Sequence, residues 1–363
     1  MVQKLKIWRT TACIILTLMM SGCFGGMEVN DRAFVQLMGL ERQDDIYMVT
    51  LQIYKSESGS TDPDVSKANS FAVSGEGATI SDAIANAEIS LGKRAFLGHI
   101  KLLIIGSGIE NPADELALFL DGSVSPSCPV VYSDDPAAAA GTLLEDGSFS
   151  AEQIVRLMDS AASQGKTVYT SIADVASQAG VLNCAAALPI MHGSGDTVKF
   201  EGLTFARKNG TSGLIADADV LGVKLLCGGF ESGDSVTVPI TVGEKRAAMK
   251  IIGAKSCIKT EFSEGTLHIY TDVKLKASEA ENPDGISAEL LEKALRQSIN
   301  DTCISAFSTA VWYSGCDIFG IKKLVRRDCP EMYDAYCADE GRYLAESVLT
   351  LRVSTQGHIL TQS

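Results

Sequence analysis

Cys23 is the residue with the clearest chemistry in this sequence. It follows a leader with three cations, an apolar stretch over residues 10–20 and the small pair Ser21-Gly22. This order is typical of a secretory signal with a lipobox. The apolar run is about half of the roughly 20 residues that a bilayer-spanning helix needs, which disfavours a transmembrane helix. The sequence therefore predicts that residues 1–22 are removed and that Cys23 becomes an acylated N-terminus, anchored in a membrane.

Catalytic chemistry has little support in the sequence. Residues 160–167 are one residue short of a P-loop and lack its first glycine, so we interpret them as the polar end of a helix. Asp217-Ala218-Asp219 resembles the start of a calcium loop, but Leu221 fills the third ligand position, and we interpret the segment as a surface turn. We predict no catalytic residues, no metal site and no cofactor. The four histidines lack the spacing of a zinc hydrolase motif; they are His99, His192, His268 and His358.

Eight cysteines lie in the body of the chain, in addition to Cys13 in the leader and Cys23. An even number outside the cytosol is compatible with disulfides, but the sequence does not give their connectivity. The cysteines lack the Cys-x-x-Cys pairs of zinc ribbons, which disfavours a metal site. We expect free thiols that pack as small apolar side chains, and at most one disulfide, near the C-terminus. The eight are Cys128, Cys184, Cys227, Cys257, Cys303, Cys316, Cys329 and Cys337.

The composition is that of a globular chain with an acidic surface. The 363 residues are 46% hydrophobic and 21% charged, which is enough apolar material for about two domains. The formal net charge goes from -14 to -17 when the three cations of the leader are removed. An acidic surface argues against a nucleic acid partner and against electrostatic binding to anionic lipid. The acyl group, not a basic patch, is therefore expected to hold the protein at its membrane.

The first half of the chain alternates predicted strands and helices. Alternating apolar residues predict a half-buried strand over 49–53, and a continuous apolar run predicts a buried strand over 102–105. Between them, Thr79 and Asp82 have capping-box spacing at the start of a helix. The polar stretch 56–67 predicts an exposed loop. Further helices are expected at 113–120, 151–163 and 171–179.

The second half is richer in strands. A Gly/Ser-rich stretch over 192–196 marks the predicted boundary between an N-terminal domain, 23–193, and a C-terminal domain, 197–363. Whether the first is one domain or two subdomains stays open. Strands in blocks with a long helix between them indicate an α+β fold, multi-domain, with mixed or antiparallel sheets flanked by helices. The expected elements are strands over 236–242, 267–275 and 349–353 and a helix over 287–313.

Four different short motifs follow one another along the chain. The first runs from Cys23 to Gly39, with an aromatic residue, Phe24, directly after the cysteine. The second covers 75–80 and 93–101 and ends in Gly-His-Ile-Lys. The third and fourth lie at 202–208 and 312–320. Together they resemble the Ger(x)C family of spore germination lipoproteins, although glycine follows Phe24 where the family usually has an acid.

The resemblance implies a non-enzymatic subunit of a nutrient germinant receptor. It also implies a lipid on Cys23, attachment to the outer face of the spore inner membrane, and two integral membrane partners, the A-type and B-type subunits. Within the second motif, Arg94, His99 and Lys101 are the candidate interaction residues. They either form hydrogen bonds where a strand starts or contact the membrane subunits, since surface loop residues can do either.

Two other classes of protein stay open. An extracytoplasmic solute-binding lipoprotein needs a deep cleft between two α/β lobes, which the strands and long helix after residue 236 disfavour. A lipid-anchored hydrolase of cell-wall material needs paired carboxylates or a nucleophile with its base, and no motif supplies either. The sequence does not indicate which nutrient triggers the receptor, or whether this subunit binds it.

Overall fold

In a computed structural model, the described part of the chain forms two β-sheets. Cys23, the leader and the predicted loop over 56–67 lie outside the residues that the structure describes. None of the helices in the described ranges combines the length and the apolar character that a bilayer-spanning helix needs. The described ranges are 32–54, 70–142, 151–179, 183–194 and 197–356.

The first sheet is mixed and has nine strands. They are β1 (Arg32–Gln43), β2 (Ile46–Tyr54), β3 (Ser70–Gly77), β4 (Arg94–Phe96), β5 (Leu102–Ile105), β6 (Val130–Tyr132), β7 (Ala185–Ser194), β8 (Thr197–Arg207) and β9 (Gly210–Ile215). Their order is β3-β2-β1-β5-β6-β7-β8-β9, with β4 beside the start of β1. Neighbours from β1 to β7 are parallel, whereas the pairs at either end of the sheet are antiparallel.

Helices cover both faces of this sheet. They are α1 (Ile80–Leu91), α2 (Pro112–Ala117), α3 (Pro136–Thr142), α4 (Ala151–Ser163) and α5 (Ile172–Gln178). The first, second and fifth pack on one face and the other two on the opposite face. Along β5, Leu103 and Ile105 join the first of these layers, and Leu102 and Ile104 join the second. A continuous apolar run is the pattern of a parallel strand that is buried on both faces.

Helix α1 lies very close to β3 because two glycines of the strand carry no side chain. A Cβ on Gly75 would lie 2.2 Å from the carbonyl oxygen of Ala83, and one on Gly77 would lie 2.4 Å from the Ala83 nitrogen. The helix begins where the side chain of Thr79 accepts a hydrogen bond from the backbone N–H of Asp82, at 3.1 Å. The Gly-x-Gly of the second motif therefore permits close packing between helix and strand.

The second sheet has four strands, β10 (Val236–Val242), β11 (Lys245–Ser263), β12 (Thr266–Glu281) and β13 (Val348–Thr355). The first three are antiparallel neighbours, and β13 runs parallel to β12. The inward side chains, such as Ile269 and Val273, form one core with the helices that follow β9. These are α6 (Asp217–Leu226), α7 (Ala288–Phe307) with a π-helical turn (Ser308–Tyr313), α8 (Ile321–Asp328), α9 (Tyr333–Ala338) and α10 (Glu340–Ala345).

The α+β fold with mixed sheets and flanking helices is confirmed, and the predicted strands and helices in the described ranges are present to within a few residues. One interpretation was wrong. Asp217-Ala218-Asp219 is the first turn of helix α6, not a surface turn. Acidic residues stabilise a helix N-terminus, and Val220 and Val223 behind them give the helix a buried face. All eight body cysteines are free thiols, so the single C-terminal disulfide that the sequence allowed does not form.

The predicted boundary at 192–196 covers the end of β7 and the two positions before β8. These strands are antiparallel neighbours, and Ser194 pairs with Thr197. The first sheet therefore takes strands from both sides of the boundary. The division into domains 23–193 and 197–363 stays a prediction.

Candidate interaction site at the start of the first strand

The first two motifs meet in space, although some 60 positions separate them in the sequence. Strands β1 and β4 pair in parallel, with Arg32 opposite Arg94 and Phe34 opposite Phe96. A short 3₁₀ turn, Leu97–His99, then leads into β5. The motifs are therefore neighbouring parts of one surface.

Aromatic rings pack together where these strands begin. The centroids of the Phe34 and His99 rings are 5.3 Å apart, edge to face, and Phe96 lies 5.7 Å from Phe34 and 5.4 Å from His99. The guanidinium of Arg32 lies 5.3 Å from the Phe96 centroid, within cation–π range. We call Arg32, Phe34, Phe96 and His99 the aromatic–cationic cluster. Its two phenylalanines are half-buried and His99 is exposed, so the cluster joins the core to the surface.

Glu88, near the end of helix α1, fixes strand β4 in place. One carboxylate oxygen lies 2.9 Å from a guanidinium nitrogen of Arg94, and the other accepts the backbone N–H of Ala95 at 2.8 Å. The side chain of Arg94 is 67% exposed and that of Glu88 is 15% exposed. Arg94 therefore has a structural contact at the strand start and still presents guanidinium donors to solvent.

Lys101 is positioned by its backbone. Its N–H donates to the carbonyl oxygen of Gln36 in β1 at 2.8 Å, and its side chain is exposed. Among the described residues its ammonium group forms no ion pair. Of the three predicted interaction residues, Lys101 thus has the most freedom to bind a partner.

The surface beside the cluster is both cationic and apolar. Ile89, on helix α1, is 77% exposed, and it lines a shallow pocket with Lys93 and Arg94. Guanidinium and ammonium groups bind carboxylates, and exposed aliphatic and aromatic side chains bind apolar surface. The arrangement is suited to recognition of another molecule. No group of three potential metal ligands occurs in the described part of the chain.

Sequence reasoning found Arg94, His99 and Lys101 but missed the residues that unite them. The missed residues are Arg32, Phe34, Phe96 and Glu88. A signal was present, because the tripeptide Arg-Ala-Phe occurs at both 32–34 and 94–96. These two copies are the segments that pair in register.

A separate cavity of about 620 Å³ lies beside helices α4, α5 and α6. Lys224 forms part of its wall, with its ammonium nitrogen 2.8 Å from a carboxylate oxygen of Asp234 and a further hydrogen bond to the carbonyl of Ala162. Both charged side chains are nearly buried. Two charged groups of this wall, Lys224 and Asp234, therefore bind each other.

The fold and the cluster define a class of protein: an α+β chain with two sheets that presents cations and aromatic rings at its surface. The chain belongs to the GerAC-like family of spore germination proteins, as its motifs predict. Residues 25–192 match the spore germination protein N-terminal domain, and residues 202–355 match the spore germination B3/GerAC-like C-terminal domain.

A solved structure has the same fold. The crystal structure of the GerBC protein superimposes with a TM-score of 0.58 and 13% sequence identity, over 88% of this chain and 96% of that one. A search of curated proteins finds no match. At this identity the likeness concerns the fold, and it supports the two-sheet α+β architecture.

Proposed function

We propose that the chain is a non-enzymatic lipoprotein subunit of a spore nutrient germinant receptor, needed for receptor assembly and for the germination response. Its partners are two integral membrane subunits, of the A and B types. The observation that carries the proposal is the match to the germination family over both halves of the chain. A recognition surface built from two of the family motifs supports an assembly role.

Co-purification tests this proposal directly. The acylated protein, tagged at its C-terminus, is purified from detergent-solubilised membranes of sporulating cells. We expect two polytopic membrane proteins to be recovered with it. Recovery of the chain alone under conditions that keep membrane complexes intact would contradict the receptor proposal.

The membrane attachment is proposed to be a lipid on Cys23. Strand β1 begins nine positions after this residue, so the connecting segment reaches about 30 Å at most. The lipid would hold the body close to the outer face of the spore inner membrane. Cys23→Ala should release the protein into the soluble fraction, and retention of that variant in washed membranes would exclude the lipid as the anchor.

The surface around the aromatic–cationic cluster is proposed to contact the membrane subunits through Arg94, His99 and Lys101. All three side chains are exposed. Lys101→Ala is the sharpest test, because its side chain forms no ion pair in the described residues and its loss should leave the fold intact. We expect this variant to fold normally and to recover less of both membrane subunits.

A matched control is Lys166→Ala, which removes an exposed lysine after helix α4. It should co-purify like the parent protein. Arg94→Ala and His99→Ala need a circular dichroism control, because both side chains also stabilise the start of β4. If all three variants assemble normally, the interface lies elsewhere.

The alternative function is an extracytoplasmic solute-binding lipoprotein. The cavity beside α4, α5 and α6 is the observation in its favour. Lys224 and Asp234 of its wall already bind each other, which disfavours the cavity as a site for a charged ligand. Recovery of the chain without membrane subunits, together with a small molecule that co-purifies with the soluble body, would favour this alternative.

A further inference from the structure

One face of the second sheet is cationic, and no element of the described ranges covers it. Strands β11, β12 and β13 place alternate side chains away from the helices, and these side chains are exposed. Glu261 and Asp272 are the acidic members of the outward rows between residues 250 and 276, and Arg246 and Glu281 lie in the same rows beyond that stretch. We call this surface the open lysine face. Its six cations are Lys250, Lys255, Lys259, Lys274, Lys276 and Arg352.

The register of the sheet brings like charges together on this face. Lys255 lies directly opposite Lys274 in the antiparallel pair of β11 and β12. Like charges opposite each other destabilise a sheet. Asp272 has Arg352 beside it in β13, yet no ion pair forms between them. The pair of Lys255 and Lys274 therefore does not serve the stability of the sheet.

Ion pairing does not neutralise the face either. None of its six cations has an acidic partner within 4.0 Å among the described residues. The whole chain nevertheless has a formal net charge of -14. Charges more than about 8–10 Å apart are screened at physiological salt, so acids on other surfaces do not cancel this local field. Net charge alone thus conceals a cationic surface.

The chemistry of the face indicates what it binds. Five of its six cations are lysines, which act as hydrated point charges, whereas a specific anion site typically uses the planar fork of arginine. They stand on an open sheet, with no enclosing walls. Tyr270 is 40% exposed and stacks on His268 at 6.2 Å, and Ile252 is 41% exposed. Lysines with an interfacial tyrosine suit a surface of anionic headgroups.

We propose that the open lysine face lies on an anionic lipid surface and sets the orientation of the protein body there. The inference goes beyond the proposed function but rests on its membrane location, because the anchor would keep the face near lipid. The acyl group provides attachment, and the face provides orientation. This refines the expectation from net charge: the acidic chain as a whole is repelled by anionic lipid, but this face is attracted.

Vesicle binding tests the proposal without any receptor subunit, so its failure is distinguishable from failure of the receptor proposal. The mature chain with Cys23→Ser, which lacks the acyl group, is sedimented with vesicles. These are phosphatidylcholine alone, or phosphatidylcholine with phosphatidylglycerol at roughly three to one. We expect binding to the anionic vesicles at low salt, release at high salt, and no binding to phosphatidylcholine. Equal binding to both vesicles, or to neither, overturns the proposal; absence of binding would point to an acidic protein partner.

Two variants of equal charge locate the binding surface. At about 1 kcal/mol per lysine, loss of four face lysines should weaken binding to anionic vesicles by roughly 700-fold. The control removes four exposed lysines elsewhere and should bind nearly as well as the parent. Equal losses in both variants would show an effect of net charge and overturn the proposal. The face variant changes Lys255, Lys259, Lys274 and Lys276 to Gln, and the control changes Lys166, Lys199, Lys208 and Lys293 to Gln.

Native thiols report the orientation independently. Cys257 lies on the open lysine face, between two of its lysines, and is exposed. Cys337, on helix α9, is also exposed and lies off the face. Anionic vesicles should protect Cys257 from a water-soluble maleimide and leave the labelling of Cys337 unchanged, as read by mass spectrometry. Protection of Cys337 with free labelling of Cys257 would show that another surface faces the lipid.

Discussion

The two sheets of this protein differ in what covers them. The first has helices on both faces, and strands such as β5 are apolar at every position. Among the described residues, the second has helices on one face only, and the lysines of its other face form no ion pair. In a strand that is buried on both faces, packing constrains every residue. In a strand that is buried on one face, every second residue points outward and is free for binding, so its identity is not fixed by the fold.

Thiol reactivity should give the largest contrast between the sheets. Cys128 is buried beside the first sheet, and desolvation raises the pKa of its thiol to about 12. The reactive thiolate of Cys128 is therefore scarce below that pH, and its alkylation should quicken as the pH rises towards it. Cys257 on the open face is exposed. At pH 8 we expect Cys257 to react at least about 1,000-fold faster with iodoacetamide, as measured by mass spectrometry. Similar rates in the folded protein would contradict the burial of Cys128.

The second largest contrast should be in stability, when a glycine in each sheet is changed to alanine. Gly75→Ala places a Cβ 2.2 Å from the Ala83 carbonyl oxygen, which forces helix α1 away from β3. We expect a loss of about 3 kcal/mol in the free energy of unfolding in urea. Gly253→Ala in β11 is the matched change, since its Cβ would meet nothing nearer than 3.6 Å. It should alter stability by less than about 0.5 kcal/mol. Equal losses would show that the second sheet is as tightly covered as the first.

The loss of a carboxylate should reduce stability less than the glycine substitution does. Glu88→Gln weakens the contacts with Arg94 and with the Ala95 N–H, so strand β4 should loosen. Because Arg94 is largely exposed, we expect a loss of only about 1 kcal/mol. Glu261→Gln on the open face is the control and should be neutral. Hydrogen exchange at the Ala95 amide measures the local effect, which should be faster in the first variant alone.

Charge reversal on the open face should give the smallest change, with the opposite sign. Lys274→Glu turns the repulsive pair with Lys255 into an attractive one. We expect stability to rise by about 0.5 kcal/mol at low salt, with little gain at high salt. Thermal unfolding at the two salt concentrations measures this. A loss of stability would mean that the lysines already have favourable partners.

The sequence predicts the second sheet and its open face better than it predicts the first sheet. Alternation over 267–275 specifies both the strand β12 and which of its residues point outward. Strand β1 escapes detection because its alternation stops at residue 37, where four consecutive buried residues show that both faces are covered. Strand β11 escapes because a bulge between Ile251 and Gly253 interrupts its period of two.

The candidate site could be predicted only in part. Motif resemblance selects Arg94, His99 and Lys101, which are exposed and lie along one short segment. The contribution of Arg32 and Phe34 depends on a parallel pairing between distant segments, which local periodicity does not encode. The role of Glu88 depends on the end of α1 meeting β4, which is a matter of tertiary packing.

The hairpin of β7 and β8 has a mechanical consequence. The two family matches divide the chain near its turn, between residues 192 and 202. Yet β8 and β9 extend the first sheet, while Leu203, Phe205 and Ile215 of these strands contribute to the second core. The joint between the two sequence modules is thus bridged by a hydrogen-bonded ladder and by shared core residues. A displacement imposed on one half would therefore be transmitted through these strands to the other half, because the strands belong to both.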